Sequence, residues 1–271
     1  MAMYRADPKD GVAWITGGST GLGRALALEL AREGYTVAVT ALDRAETDAV
    51  VVKAEGMAGR IVALACDVTD QAGMTQLVER IETEIGPIVL AIFNAGIYQP
   101  THGEDLDAEI FRTTFEVNVF GVLNGLIPTV YRMQERGRGQ IVIMGSATSF
   151  LGFPAAGAYG ASKAALNNMA EALRYDFEKM NIRIQVMNPG FVYTPLTARH
   201  EFKMPALMTI RDAVPKMLAG IKSGGFETTF PRKFTWGLKA VRILPKGIVF
   251  WLMNRRSHWY KRPLKSRAPD A

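Results

Sequence analysis

Tyr159 and Lys163 stand four residues apart in the run Tyr159-Gly160-Ala161-Ser162-Lys163. On a helix this spacing sets a phenol and an ammonium on one face, a turn apart. A free tyrosine has a pKa of about 10, too high for easy proton exchange near neutrality. A neighbouring cation favours the phenolate, so the spacing predicts a lowered phenol pKa and a general acid or base. Ser146 lies thirteen residues upstream, at the end of an expected strand. A short returning loop can bring its hydroxyl beside the phenol, where it can hold a substrate oxygen. Taken alone, a Tyr and Lys at this spacing are more often a surface pair.

A second group of residues suits phosphate. Thr16-Gly17-Gly18-Ser19-Thr20-Gly21-Leu22-Gly23 directly follows an apolar run and precedes a helical one. Glycines there allow a tight turn, close approach to a pyrophosphate and close helix packing, with the helix N-terminus facing the anion. An ordinary tight connection is the bland alternative. Asp67 and Asn94-Ala95-Gly96 follow the third and fourth expected strands, at the edge where open α/β sheets bind ligands. Asp67 can equally be a helix cap, and Asn94 a turn residue.

The elements that must position these groups are legible from periodicity. Apolar and β-branched runs predict strands at Val12–Thr16, Tyr35–Ala41, Arg60–Cys66, Ile88–Phe93, Gln140–Gly145 and Ile182–Met187. Helical spacing marks Leu22, Leu26 and Leu30, then Met74 to Ile85, a long stretch from about Ala108 to Arg136, and another from Ala158 to Lys179. This alternation predicts a doubly wound parallel sheet in three α/β/α layers. Residues 1–231 are expected to form its single domain, and residues 232–271 a basic amphipathic helical extension.

Composition narrows the function classes. The chain has 271 residues, 48% hydrophobic and 21% charged, which predicts one folded body rather than disorder. Its one cysteine, Cys66, cannot form an internal disulfide, and no metal-ligand cluster is evident. The first ten residues lack an apolar signal core, so a cytoplasmic location is expected. Residues 232–271 hold eleven Lys or Arg and one acid, so the extension carries +10 of a net +6 and residues 1–231 carry −4. That basicity comes without a nucleic-acid-binding motif, and no nucleic-acid partner is expected.

The sequence resembles the short-chain dehydrogenases/reductases over roughly residues 10–231. The likeness rests on Thr16 to Gly23 (TGxxxGxG), Asn94 to Gly96 (NAG), Asn118, Ser146, Tyr159-x-x-x-Lys163 and Pro189-Gly190. The resemblance implies a Rossmann-like fold and NAD(P)-dependent hydride transfer between a secondary alcohol and a ketone, with Asn118, Ser146, Tyr159 and Lys163 as the catalytic set. It implies that Gly17, Ser19, Thr20, Gly21, Leu22 and Gly23 cradle the phosphates, and that Asn94, Ala95 and Gly96 border the cofactor. It implies further that Asn118 keeps a water-linked proton path to Lys163, whose ammonium also grips the nicotinamide ribose. Asp67 and Val68 would face the adenine, and Val192 and Thr194, after Pro189-Gly190, would hold the carboxamide. A homodimer or homotetramer paired through the Tyr159 helix and the preceding long helix is also implied, with Ala158, Ala161, Ala164 and Ala165 permitting close packing. The run Ile-Phe-Asn94 departs from the family, which often has a second Asn there.

Finer readings rest on charge and composition. NAD-preferring relatives put an acid at the end of the second strand, and that position is Ala41 here. With Arg44 nearby for a 2′-phosphate, NADP is favoured over NAD, although Asp43 adjoins and Arg44 can simply be a solvated helix start. The resemblance implies a substrate loop at about 191–225; its Phe191, Tyr193, Phe202, Met204, Leu207 and Met208, with Phe150 and Phe153 from another loop, suit a lipophilic substrate, or else are core or subunit contacts. Phe153, Phe191 and Tyr193 are the candidate substrate contacts beside Ser146. In the extension, Phe234, Leu238 and Val241 share one helical face and Lys239, Arg242 and Lys246 another. That pattern fits either contact with an anionic membrane through 232–267 or packing over the pocket. Two further readings stay open: a nucleotide-binding sensor without turnover, and a membrane-docked scaffold.

Overall fold

The strands form where apolar runs can be buried on both faces, as a parallel sheet covered by helices requires. The computed structural model describes residues 3–199 and 204–264. Its strands are β1 (Val12–Thr16), β2 (Thr36–Ala41), β3 (Arg60–Ala65), β4 (Ile88–Phe93), β5 (Gly139–Met144), β6 (Ile182–Pro189) and β7 (Glu227–Phe230). They make one seven-stranded sheet in the order β3-β2-β1-β4-β5-β6-β7, with every pairing parallel. The order reverses between β1 and β4, which opens a crevice at their carboxyl ends.

The helices are α1 (Gly21–Arg32), α2 (Arg44–Lys53), α3 (Gln71–Arg80), α4 (Ala108–Phe115), α5 (Gly121–Glu135), α6 (Gly157–Lys179), α7 (Ile210–Ser223), α8 (Arg232–Arg242) and α9 (Lys246–Ser257). Alternation in β1 sorts its side chains between two cores. Ala13 and Ile15 join Leu26 and Leu30 of α1, Val50 of α2 and Met217 of α7. Val12 and Trp14 join Met74 of α3, Leu126 of α5 and Leu166 of α6. Trp14 satisfies its indole N–H at Thr40 Oγ1, 2.9 Å away, inside that core.

Two features differ from expectation, and the extension follows one of the courses its pattern allowed. The long helix over 108–136 is interrupted by a π-helical turn, Glu116–Phe120, that contains Asn118. β7 had not been expected, because Glu-Thr-Thr-Phe shows no apolar alternation and only Phe230 is buried. It adds to the sheet edge by pairing Val186 with Glu227 through Pro189 with Phe230. The extension packs on the body: Leu238 and Val249 form a third apolar cluster with Ala147, Phe150 and Leu151, flanked by Phe234 and Val241. The charge of Lys239, at the edge of this cluster, is taken up by Glu227 and lies 5.0 Å from the centre of the Phe150 ring.

Candidate active site

The glycine turn is built for close approach. Gly17 and Gly21 have φ of +63° and +54°, a region that costs an L-residue strain. A Cβ on Gly17 would lie 2.7 Å from Ala95 Cα, and one on Gly23 would overlap the Gly17 carbonyl and Asn94. Thr20 precedes α1 without a side-chain cap, and the first turn of α1 holds no acid. The positive helix end therefore has no anion of its own, and a pyrophosphate fits it. Ser19 donates its hydroxyl to Glu46 Oε2 at 2.8 Å, while Thr20 is exposed.

Asn94 is the clamp of that turn rather than a simple turn residue. Its Nδ2 donates to the carbonyls of Thr16 (3.2 Å) and Gly17 (2.9 Å), and Thr16 Oγ1 accepts from the N–H groups of Asn94 and Ala95. Thr16 was not singled out from the sequence, although it opens the glycine motif. Asp67 does not cap α3; Asp70 does, and Asp67 Oδ1 accepts from Thr69 N–H at 2.9 Å.

One cleft at the sheet's carboxyl edge is lined by Asn94, Gly96, Ser146, Tyr159, Lys163, Pro189, Gly190, Val192 and Thr194, together with Leu22, Phe153 and Phe191. A neighbouring pocket is lined by Gly17, Ala41, Leu42, Asp67, Val68 and Ala95, with Arg112 and Glu116 from the long helical stretch. Gly96 lines both, so the two meet. An elongated groove with the glycine turn and α1's N-terminus beside it suits a dinucleotide, adenine at one end and reacting ring at the other. Arg112 and Glu116 carried no signal in the sequence, because only the fold returns that helix to the groove.

Not every expected contact faces the groove. Arg44 is exposed and pairs with Asp48 at 3.6 Å, lining neither pocket. Tyr193 is 64% exposed and lies outside the cleft lining, as do Met204, Leu207 and Met208. Met208 instead forms a bridge with Val192. Phe150 is buried under the extension, and Phe202 lies outside the described residues. Thr194 sits against the turn: a Cβ on Gly21 would be 3.6 Å from its Cβ.

The reacting end is held from three directions. Ser146 leaves β5, its N–H donates to Asn188 Oδ1 at 2.9 Å, and its Oγ accepts from Thr148 N–H. Asn188, fully buried at the end of β6, was missed by the sequence reading although it directly precedes Pro189-Gly190. Tyr159 is hydrogen-bonded to Ser146 and meets Tyr98 edge-on at 5.5 Å. Lys163 Nζ lies 5.8 Å from the Tyr159 ring centre and donates to Met144 O at 2.7 Å.

Asn118 sits behind them in the π-helical turn. Its amide accepts from Ile97 N–H (2.8 Å) and donates to Ile97 O and Ser162 Oγ, both at 3.0 Å. It lies close enough that a Cβ on Gly96 would be 3.1 Å from Asn118 Oδ1 and 3.5 Å from Lys163 Nζ. The structure thus brings Gly96, Asn118, Ser146, Tyr159 and Lys163 together.

Burial reverses the expected direction of the phenol's shift. Burial pushes Tyr159 up to about 12; the Ser146 hydrogen bond opposes this and Tyr98 adds to it. Burial also pulls Lys163 down to about 8, because a charged ammonium is costly away from water. Burial thus favours the protonated phenol and eases deprotonation of the neighbouring amine.

The chain as a whole has counterparts among known proteins. Residues 11–204 match the short chain dehydrogenase family. An "Uncharacterized oxidoreductase" of Myxococcus xanthus is 34% identical over 236 residues, covering 87% of this chain and 93% of the relative. The "NADP-dependent (R)-specific alcohol dehydrogenase" of Lentilactobacillus kefiri is 34% identical over 191 residues, 69% of this chain and 75% of that one. Among solved structures, the short-chain dehydrogenase from Sphingobium yanoikuyae in complex with NADPH superposes with a TM-score of 0.75 at 23% identity, covering 96% of this chain and 99% of that chain. With the glycine turn, the sheet order and the matched sequence in agreement, the chain belongs to the short-chain dehydrogenase family and is an NAD(P)-dependent oxidoreductase.

Proposed function

We propose that this oxidoreductase reduces a lipophilic ketone to its secondary alcohol, and runs the reverse oxidation, with Tyr159 as proton donor and acceptor. The observation that carries the reading is the buried phenol of Tyr159, bonded to Ser146 and flanked by Lys163, in the groove that also holds the glycine turn. When bound there, a nicotinamide dinucleotide supplies or takes the hydride. Tyr159 gives its proton to the carbonyl oxygen during reduction, and the protonated form that burial favours is the form this direction needs. Ser146 holds that oxygen, and Lys163 holds the nicotinamide ribose and stabilises the phenolate that forms. Asn118 keeps the 97 loop and α6 in register with Lys163. Gly17 to Gly23 would cradle the phosphates, Asp67 and Val68 would border the adenine, and Val192 and Thr194 would hold the carboxamide.

NADP is the preferred cofactor in this reading. β2 ends at Ala41, without a carboxylate to reject a 2′-phosphate, and Asp43 is engaged in capping α2 at Glu46 N–H. Arg44, held only by an exposed ion pair, is within the same turn and free to exchange partners. Phe153 and Phe191, 6.3 Å apart and roughly perpendicular, give the substrate end its apolar wall. The subunits pair through α5 and α6: Ile127 and Tyr131 are exposed on α5, with Phe120 exposed just before it, and Ala161 and Ala164 are exposed on α6.

Following reduced-nicotinamide absorbance against a panel of lipophilic ketones tests the reading, with NADPH and NADH side by side. It predicts turnover that rises with ketone apolarity and a lower KM for NADPH. A protein that binds the dinucleotide yet turns over no carbonyl would overturn it in favour of a sensor.

A further inference from the structure

Residues 232–264 contain nine Lys or Arg and no Asp or Glu. Two of the nine are neutralised by the body, Lys239 by Glu227 and Arg262 by Glu104. The inner side of the elbow made by α8 and α9 is apolar for an ordinary reason, since Leu238 and Val249 cover Phe150 and Leu151. Its outer side is apolar too. Ile243, at the bend, is 86% exposed, and Phe250 and Trp251 of α9 are 68% and 58% exposed. The middle run of α9, residues 248–253, is apolar on every side, a surface that belongs against a core or a bilayer, and no second protein layer covers its exposed side among the described residues. Arg242 and Lys246 flank the bend, and Arg255 stacks on the Trp251 ring at 5.3 Å.

We propose that the outer side of the α8–α9 elbow docks on an anionic lipid bilayer, with Ile243 and Trp251 entering the headgroup region and Arg242, Lys246 and Arg255 meeting lipid phosphates. Charge decides the occupant. A second copy related by two-fold symmetry would lay this unneutralised positive surface on itself, whereas an anionic leaflet is complementary to it. No helix among the described residues is long and apolar enough to cross a membrane, and α9 has 12 residues, so the elbow lies in the interface plane. The docking is independent of the catalytic reading. Its consequence is not: α8 and α9 cover the loop that follows Ser146, so docking sets the substrate cleft beside a store of lipophilic carbonyl compounds.

Flotation of the full chain with phosphatidylcholine vesicles, with and without phosphatidylglycerol, tests the docking. Binding is expected only with phosphatidylglycerol, with a blue shift of tryptophan emission and loss in high salt. Arg242→Gln with Lys246→Gln should weaken partitioning on the order of thirty-fold. Ile243→Ser with Trp251→Ser should abolish the blue shift and leave dinucleotide binding and the thermal midpoint intact. No flotation with phosphatidylglycerol, or flotation that ignores both pairs of substitutions, overturns the proposal. So does a dimer dissolved by Ile243→Ser in a protein that ignores vesicles, because a second copy would then own the face.

Discussion

Burial moves Tyr159 and Lys163 in opposite directions, the phenol up to about 12 and the amine down to about 8. Sequence spacing put the pair on one helix face but was silent on solvent, so it anticipated the reverse sign for the phenol. The shift has a kinetic consequence. If the charged form of Lys163 is required, kcat/KM for ketone reduction falls as pH rises through about 8, because free-enzyme groups govern that parameter. A Lys163→Arg variant keeps its charge throughout this range, so the limb should vanish although the bulkier guanidinium lowers the rate. A pH profile for both proteins checks this, and a flat wild-type profile across that point counts against the role. Asn188 marks the other limit of spacing. Its hold on Ser146 joins two strands 42 residues apart, which only the sheet brings together.

At the scale of elements, strands buried on both faces read clearly because their apolar runs are continuous, as in the fully buried Ile88–Phe93. β7 did not, because three of its four residues are half-buried and polar or charged. The π-helical turn at Asn118 was equally silent, since the flanking sequence keeps helical spacing through it. The glycine turn was legible from residue types, and its structure adds a sharp expectation. Gly23→Ala puts a methyl into the Gly17 carbonyl, so dinucleotide affinity should drop on the order of a hundred-fold or more, as titration would show. Leu238 tests the extension. Truncation to Ala removes the centre of the third cluster and should cost about 2–3 kcal/mol in urea unfolding. Because the same cluster includes Ala147 and Phe150, substrate KM should rise while dinucleotide affinity holds.

For the whole molecule, charge is divided between a body of −4 and an extension of +10, a contrast visible in the sequence, whose amphipathic pattern allowed packing over the pocket but did not single out the Ser146 loop as the surface covered. Pairing through α5 and α6 predicts a dimer or tetramer by analytical ultracentrifugation, and Ile127→Arg, at a position 46% exposed, should shift it toward monomer. The proposed reaction requires the phenol to be the proton carrier of the hydride transfer. Its most direct test is Tyr159→Phe, assayed for steady-state ketone reduction and, in the same preparation, for NADPH affinity. The expected result is affinity within about two-fold of wild type with turnover lower by about 10²–10⁴. Turnover equal to wild type would contradict it.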